Sequence, residues 1–376
     1  MSIIKRTIQD QVEQDLGHGK IVVIYGPRQI GKTTLVKHIQ NKYPNSIYYN
    51  CDEPDIARKF QNKTSTELKT LIGSSELMII DEAQRVKNIG LSLKLIIDNF
   101  PDLKIIATGS SSFDLANHIS EPLTGRMIDY QLSPFTMQEL SQIYSPLELS
   151  RMKDWFLIYG TYPDVVLNKH DAAGIISRIT NNYLYKDILL FQELRNEEKI
   201  YRLLQALALQ IGQEVSYTEL ARLVGIDQKT ISKYIQILEK AFVIFRLPPL
   251  FRNPRKEISK SRKIYFYDNG VRNALVNNFN DAQLRNDIGN LFEQFIIAQR
   301  IATKSNSRAL MQTYFWRTKY HSEIDYIEEK GGQLNGFEIK FGKKIPKEPK
   351  PWNTLYKNST FGVVNSQNWQ EFLNVC

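Results

Sequence analysis

A chain of 376 residues that is 42% hydrophobic, 11% aromatic and 24% charged has the make-up of a folded protein of about two to four domains, which excludes disordered and fibrous classes. It holds no apolar run approaching the roughly 18 residues that cross a bilayer, and its opening MSIIKRTIQDQVEQ interleaves charges, so membrane-spanning and secreted classes are set aside and a cytoplasmic protein is expected. The net charge of +9 is uneven: residues 1–150 carry 16 Lys+Arg against 17 Asp+Glu and residues 151–376 carry 33 against 23, so the basic surplus of the second part suits either a polyanion or a lysine-rich solvated face.

The two cysteines, Cys51 and Cys376, make no disulfide framework, and with five scattered histidines they offer no zinc spacing. In chain order, IVVIYG (21–26), SIYYN (46–50), LMIIDE (77–82) and LKIIATGS (103–110) are short, β-branched and bounded by turns, with helical stretches between them. This rhythm predicts an α/β fold with a parallel sheet covered by helices on both faces.

GPRQIGKT (26–33) fits G-x-x-x-x-G-K-[ST], and it lies where that motif must lie, between a strand and the helix TLVKHIQ. Gly26 and Gly31 let the backbone curl so that N–H groups face phosphate oxygens, with Pro27, Arg28, Gln29, Ile30 and Thr34 completing the loop and the helix start. Lys32 is placed for the β- and γ-phosphates of ATP and Thr33 for the accompanying Mg²⁺. Asp81, at the end of an apolar strand, suits the same metal, and Glu82 suits the attacking water. Ser110 and Ser111 end the next strand as γ-phosphate sensors or as satisfied turn hydroxyls. Arg126, in LTGR, is either an arginine finger acting in trans or an exposed arginine of other use.

After Pro134 the pattern turns helical to about Asn196, a lid or linker. In YTELARLVGIDQKTISKYIQILEK (217–240) one helix ends at Gly225 and another begins near Asp227, the spacing of a helix-turn-helix. Ala221 permits the helix crossing and Ile231 packs between the helices. Gln228, Lys229, Thr230, Ser232, Lys233 and Gln236 are expected along the recognition helix. Residues 251–263 add Arg252, Arg255, Lys256, Lys260, Arg262 and Lys263, a wing that grips DNA phosphates or a protein-docking module.

The last stretch, from near Gly270, reads as mixed α/β. With Gly331 and Gly332 as turn residues, paired positions sum to 663, which sets Asp325 opposite Glu338 with Lys340 on the same face. Such a face can hold a Mg²⁺ or Mn²⁺ through Asp325 and Glu338, with Glu293 as a further ligand, or it is a solvated charge cluster.

In this order the motifs resemble the archaeal and bacterial AAA+ (STAND-like) ATPases that join a P-loop core to a winged helix and a C-terminal restriction-endonuclease-like domain. GPRQIGKTTL, LMIIDEAQ, IIATGSSS, LTGR, YPDV, KIYFYDNG, GNLFEQF and the closing W-R…EIDYI…FEIK carry the resemblance. It implies a P-loop core over 1–135, a helical lid over 136–196, a winged helix over 197–268 and a nuclease-like domain over 269–376. It further implies Lys32 and Thr33 as phosphate and Mg²⁺ contacts, and Asp81 and Glu82 as the Walker B pair. Asp325, Glu338 and Lys340 match the D…E-x-K nuclease signature, with Glu293 as the helical acid. The expected activity is ATP-driven handling of DNA, branched DNA included, by a homo-oligomer such as a hexameric ring, with no membrane partner. The alternatives are a signalling ATPase switch with a non-catalytic nuclease-like domain and a DNA-binding regulator with a mainly structural nucleotide site.

Overall fold

The computed structural model describes residues 4–110, 123–184, 196–250, 262–309, 311–318, 322–343 and 345–375, the side chains of 182–184 excepted. Ser111 and the wing residues Arg252, Arg255, Lys256 and Lys260 lie outside the described residues. The chain forms two compact units, one running to Ser133 and including Lys240–Phe242, the other formed by Pro134–Glu239 and Val243–Cys376.

In the first unit the order is α1 (Gln9–Asp15), β1 (Ile21–Tyr25), α2 (Lys32–Gln40), β2 (Ser46–Asn50), α3 (Pro54–Phe60), α4 (Ser65–Ile72), β3 (Leu77–Asp81), α5 (Ile89–Asn99), β4 (Lys104–Gly109) and β5 (Met127–Gln131). The strands form one parallel sheet in the order β2-β3-β4-β1-β5. Strands β1 and β3 are buried at every position, because a parallel strand with helices on both faces must be apolar on both sides. The fifth strand, MIDYQ, has no such run and is held by its pairing with β1, from Ile21↔Met127 to Tyr25↔Gln131. Ile21, Val23, Met78, Ile80, Ile105 and Ala107 share one core with Leu93 and Ile96 of α5.

The second unit begins with short helices: α6 (Met137–Leu140), α7 (Pro146–Arg151), α8 (Lys153–Tyr159), α9 (Pro163–Leu167) and α10 (Ala172–Arg178). Thr136 with Glu139 and Ser145 with Glu148 close reciprocal capping boxes at the first two, which satisfies amides that a one- or two-turn helix would otherwise leave bare. Then come α11 (Glu197–Leu209), β6 (Glu214–Val215), α12 (Tyr217–Val224), α13 (Gln228–Lys240), β7 (Ile244–Leu247) and β8 (Arg262–Phe266). Helix α12 stops where Gly225 takes φ +72°, and α13 starts where Asp227 accepts from the Thr230 amide at 2.9 Å. Ile231 is fully buried, and β6, β8 and β7 pair antiparallel in that order.

The chain closes with α14 (Asn269–Leu275), α15 (Ile288–Asn306), β9 (Gln312–Arg317), β10 (Glu323–Lys330), β11 (Gln333–Lys340), α16 (Lys350–Leu355), β12 (Ser359–Asn365) and α17 (Trp369–Phe372). Their sheet is mixed, ordered β12-β11-β10-β9, with only β11 and β12 parallel. Gly331 and Gly332 both have positive φ, and the pairs from Lys330↔Gln333 to Tyr326↔Phe337 hold the register that the two glycines predict. A buried polar seam runs through this unit: Asn269 donates to the Leu157 and Leu291 carbonyls at 3.2 and 2.9 Å, and Asn273 to those of Leu157 and Ile158 at 3.1 and 2.8 Å. Gly270 belongs to it sterically, because a Cβ there would lie 2.1 Å from the Tyr159 carbonyl. Among the described residues no helix is long and apolar enough to cross a membrane.

Candidate nucleotide site and acidic pocket

The loop Gly26–Gly31 leaves the C-terminal end of β1, which has strands on both sides, and runs into α2. Helix α2 begins without a side-chain cap, with Gly31 at φ +94°, so its first amides are directed at whatever the loop encloses. Gly26 answers to space: a Cβ would lie 2.3 Å from the backbone carbonyl of Leu132. Buried Lys32 donates to the Gly26 and Pro27 carbonyls at 2.8 and 3.0 Å, so its ammonium sits inside the loop. Ile30 is buried and its carbonyl accepts from Arg6 at 2.8 Å, while Arg6 also donates to the Ser133 carbonyl at 2.6 Å. Arg28 is half-buried, Gln29 (φ +59°) and Thr34 are exposed.

Thr33 and Asp81, expected to share a metal, are brought together: the hydroxyl donates to Asp81 Oδ2 at 2.7 Å. Two further hydroxyls converge on that carboxylate. Tyr48 of β2 donates to Oδ2 at 2.5 Å, and Thr108 of β4 donates closely to Oδ1. Burial, then the bond to Asp81, raise the Tyr48 phenol above its ordinary range, so it stays a donor. Nearby Cys51 is fully enclosed, and burial pushes its thiol up to about 12, which leaves it unreactive.

Glu82 has φ +53°, a conformation a glutamate seldom adopts, and its amide donates to Thr108 Oγ at 3.1 Å. The turn directs its carboxylate to Gln84, whose amide also donates to Ser110 Oγ at 3.1 Å. Glu82 and the expected sensor are therefore linked by Gln84. Arg126 lies at the other end of the sheet: its carbonyl accepts from the Ile21 amide at 2.8 Å and its Nε donates to Asp98 at 2.7 Å. The five residues of β1, roughly 17 Å, separate it from its own loop.

In the second unit Glu293 (α15), Asp325 (β10), Glu338 and Lys340 (β11) are also brought together. Lys340 lies 2.7 Å from Glu338 Oε1 and 3.5 Å from Asp325 Oδ2, which in turn accepts from the Ile339 amide at 3.0 Å. Two residues outside the expected set complete the pocket. Lys263 Nζ donates to Glu293 Oε1 at 3.1 Å and Asp325 Oδ1 at 3.3 Å, and Tyr265 donates to Glu293 Oε1 at 2.6 Å. Lys263, assigned from the sequence to a phosphate-gripping wing, is instead buried: β8 is covered on both faces from Lys263 to Phe266, and Lys263 shares with Tyr265 the face that meets Glu293. Burial and the Asp325 charge push both Glu293 and Glu338 upward to about 7, against the downward pull of their lysines. The divalent ion expected here meets a poor donor set: among the described residues no three Asp, Glu, His or Cys side chains converge to hold a metal.

The residues expected along a recognition helix differ in exposure. Gln228, Lys229, Lys233 and Gln236 are exposed, while Thr230 and Ser232 are half-buried and the Thr230 hydroxyl is engaged by Asp227 at 2.5 Å. Tyr48, Thr108, Gln84, Arg6 and Tyr265 were not singled out as site residues by sequence, and Lys263 was placed only in the wing. Only Gln84 carried a visible signal, standing two residues past Glu82 in LMIIDEAQ.

Residues 18–141 match the family model described as AAA domain, residues 153–282 match a domain of unknown function, DUF8612, and residues 288–372 match another, DUF4143. The chain is 28% identical over 345 residues to uncharacterised proteins of Mycobacterium bovis and Mycobacterium tuberculosis, covering 90% of this chain and 74% of each of those. It is 26% identical over 318 residues to an uncharacterised protein of Methanocaldococcus jannaschii, covering 73% of this chain and 65% of that one. The five-stranded parallel sheet, the loop geometry and the family match agree: residues 18–141 form an AAA-type P-loop domain, of the class that takes a nucleotide with Mg²⁺.

Proposed function

We propose that this chain hydrolyses ATP and couples the cycle to DNA bound by its basic second part. The observation that carries the reading is the meeting of Thr33 with Asp81, the neighbour of Glu82 in the chain, together with a loop whose carbonyls hold the Lys32 ammonium. On binding, Lys32 exchanges the Gly26 and Pro27 carbonyls for the β- and γ-phosphates. Thr33 Oγ and Asp81 would hold Mg²⁺, which supplies charge neutralisation on the phosphates. Glu82 orients the attacking water, and Gln84 and Ser110 set where its carboxylate points. Arg126, a strand length from its own loop, would serve a neighbouring subunit's phosphate, which supports a homo-oligomer such as a hexameric ring.

The DNA half of the proposal rests on α12, the Gly225 turn and α13 followed by the β7–β8 strands, an arrangement that supports a winged helix, and on the exposed Lys229 and Lys233. The D…E-x-K order of Asp325, Glu338 and Lys340 supports a nuclease-like ancestry for the C-terminal sheet. The ammonium of Lys263 between Glu293 and Asp325 favours the second reading there, a regulatory ATPase whose nuclease-like domain does not cut. The test is ATP hydrolysis with and without single-stranded, duplex and four-way-junction DNA, with Lys32→Ala as control. Severalfold stimulation is expected from at least one of these; turnover indifferent to all of them removes the DNA coupling. Mg²⁺- or Mn²⁺-dependent cutting that Asp325→Ala abolishes would restore the nuclease.

A further inference from the structure

The acidic pocket of the second unit already contains a cation, and it is covalently part of the chain. Lys263 extends from β8, where it faces Glu214 and Leu247 in the three-stranded sheet, and only 4% of its side chain is exposed. Its ammonium reaches a carboxylate on α15 and another on β10. It therefore ties the sheet that follows the helix-turn-helix to the C-terminal sheet.

The oxygens that a metal would need are largely spoken for. Glu293 Oε1 accepts from Lys263 and Tyr265, Asp325 Oδ1 from Lys263, and Asp325 Oδ2 from the Ile339 amide and Lys340. Glu338 Oε1 accepts from Lys340, and Glu338 Oε2 is a buried atom without a partner. A hard divalent ion asks for about six oxygens near 2.1 Å, water included, and of the six carboxylate oxygens here four already accept hydrogen bonds from the protein. An ammonium roughly 3 Å from the same carboxylates would repel such an ion strongly in a buried setting. Lysine in turn suits the pocket, since its desolvation is offset only where carboxylates surround it.

We propose that Lys263 is the resident cation of the pocket formed by Glu293, Asp325 and Glu338, so that these carboxylates form an ion-pair lock between two sheets and take no divalent metal. Asp325, with both oxygens engaged by separate elements, is the centre of the lock, and Glu293 is its anchor on α15. Lys340, on the outer side at 40% exposure, neutralises Glu338 and is the one lysine of the pair open to solvent. The proposal is independent of ATP hydrolysis and of DNA stimulation, and its test uses neither.

The experiment compares the nucleotide-free 376-residue chain with Lys263→Met, Lys263→Arg and Asp325→Asn, by thermal unfolding and by electron paramagnetic resonance counting of bound Mn²⁺. Any Mn²⁺ held near Asp81 is common to the parent and every variant and cancels. The expected result is that Asp325→Asn leaves the Mn²⁺ count of the otherwise unchanged chain as it was. Lys263→Met is expected to unfold roughly 5 to 15 °C lower, as removal of one partner from a buried pair should. Adding Asp325→Asn to Lys263→Met should return part of that loss, and Lys263→Arg should melt close to the parent. A Mn²⁺ ion present in the parent and absent from Asp325→Asn would overturn the proposal, and so would a Lys263→Met that melts like the parent. Should Lys263→Met fail to fold, the Mn²⁺ comparison of the parent with Asp325→Asn still decides.

Discussion

The hydroxyl of Tyr48 donates to Asp81 Oδ2 at 2.5 Å, on the same oxygen that Thr33 contacts at 2.7 Å. A residue on the edge strand β2 thus fixes the carboxylate proposed to hold Mg²⁺. Tyr48→Phe removes that donor and leaves the ring, so the strand should still pack. Because partners of metal ligands typically change metal affinity by tenfold or more, the Mg²⁺ concentration for half-maximal ATP hydrolysis should rise about tenfold. ATP hydrolysis titrated with Mg²⁺ checks this, and an unchanged midpoint would remove Tyr48 from the site.

Glu82 is proposed to orient the attacking water, a role separate from holding nucleotide. Glu82→Gln should therefore bind ATP within a few-fold of the parent while turnover falls at least about 100-fold, the usual scale for loss of a positioned base. Fluorescent ATP binding and phosphate release, measured side by side, distinguish this from a general collapse of the loop. Normal turnover in the variant would refute the role.

Gly26→Ala places a methyl carbon 2.3 Å from the Leu132 carbonyl, a backbone atom with no rotamer to yield. The loop must shift, and with it the Lys32 ammonium that bonds the Gly26 carbonyl. Nucleotide binding should be lost and the melting temperature lowered by several degrees, as a steric clash in a packed core costs roughly 1 to 3 kcal/mol. Calorimetry with ATP and a melting curve report the two effects separately.

Lys229 and Lys233 are exposed on α13. If they contact phosphates, Lys229→Glu with Lys233→Glu should weaken DNA binding across all sequences and flatten the slope of log affinity against log salt by about two. Fluorescence anisotropy at several salt concentrations measures that slope; a slope identical to the parent's would move DNA to another surface.

Asp268 supplies a pH dependence of known sign. Its carboxyl is wholly buried, accepts from the Thr161 amide at 2.7 Å and the Val271 amide at 3.1 Å, and is raised to about 6 by burial against these bonds. A carboxyl that titrates higher folded than unfolded binds its proton more tightly in the fold. Its contribution is present in full below about 4, the unfolded value, and is lost as pH rises through about 6, up to roughly 3 kcal/mol. Relative to Asp268→Asn, the parent should therefore lose ground between pH 4 and pH 7, as melting temperatures across that range would show. A gap that stays constant would mean that Asp268 is ionised throughout.

Much of the first unit was legible because a two-sided parallel strand must be apolar throughout, and IVVIY and LMIID are. The strand MIDYQ was not, since Asp129 and Gln131 interrupt its apolar run and only the hydrogen bonds of β1 reveal it. The register of β10 with β11 was legible from two adjacent glycines, a purely local signal. Tyr48 and Lys263 were not, because what each does depends on a residue 33 or 62 positions away. Nothing in SIYYN says which tyrosine faces Asp81, and a lysine at the end of a basic run reads as exposed until a fold buries it.

Arg6 gives the nucleotide loop a dependence that its motif conceals. Its guanidinium joins the Ile30 carbonyl to that of Ser133, across 24 residues on one side and 127 on the other. The matched AAA segment starts at residue 18, so a fragment cut there would keep every residue of GPRQIGKT and lose the clamp that braces it. Minimal pieces of this protein defined by motif boundaries should hold ATP more weakly than pieces that start ahead of Arg6, and the shortfall would belong to the cut and not to the loop.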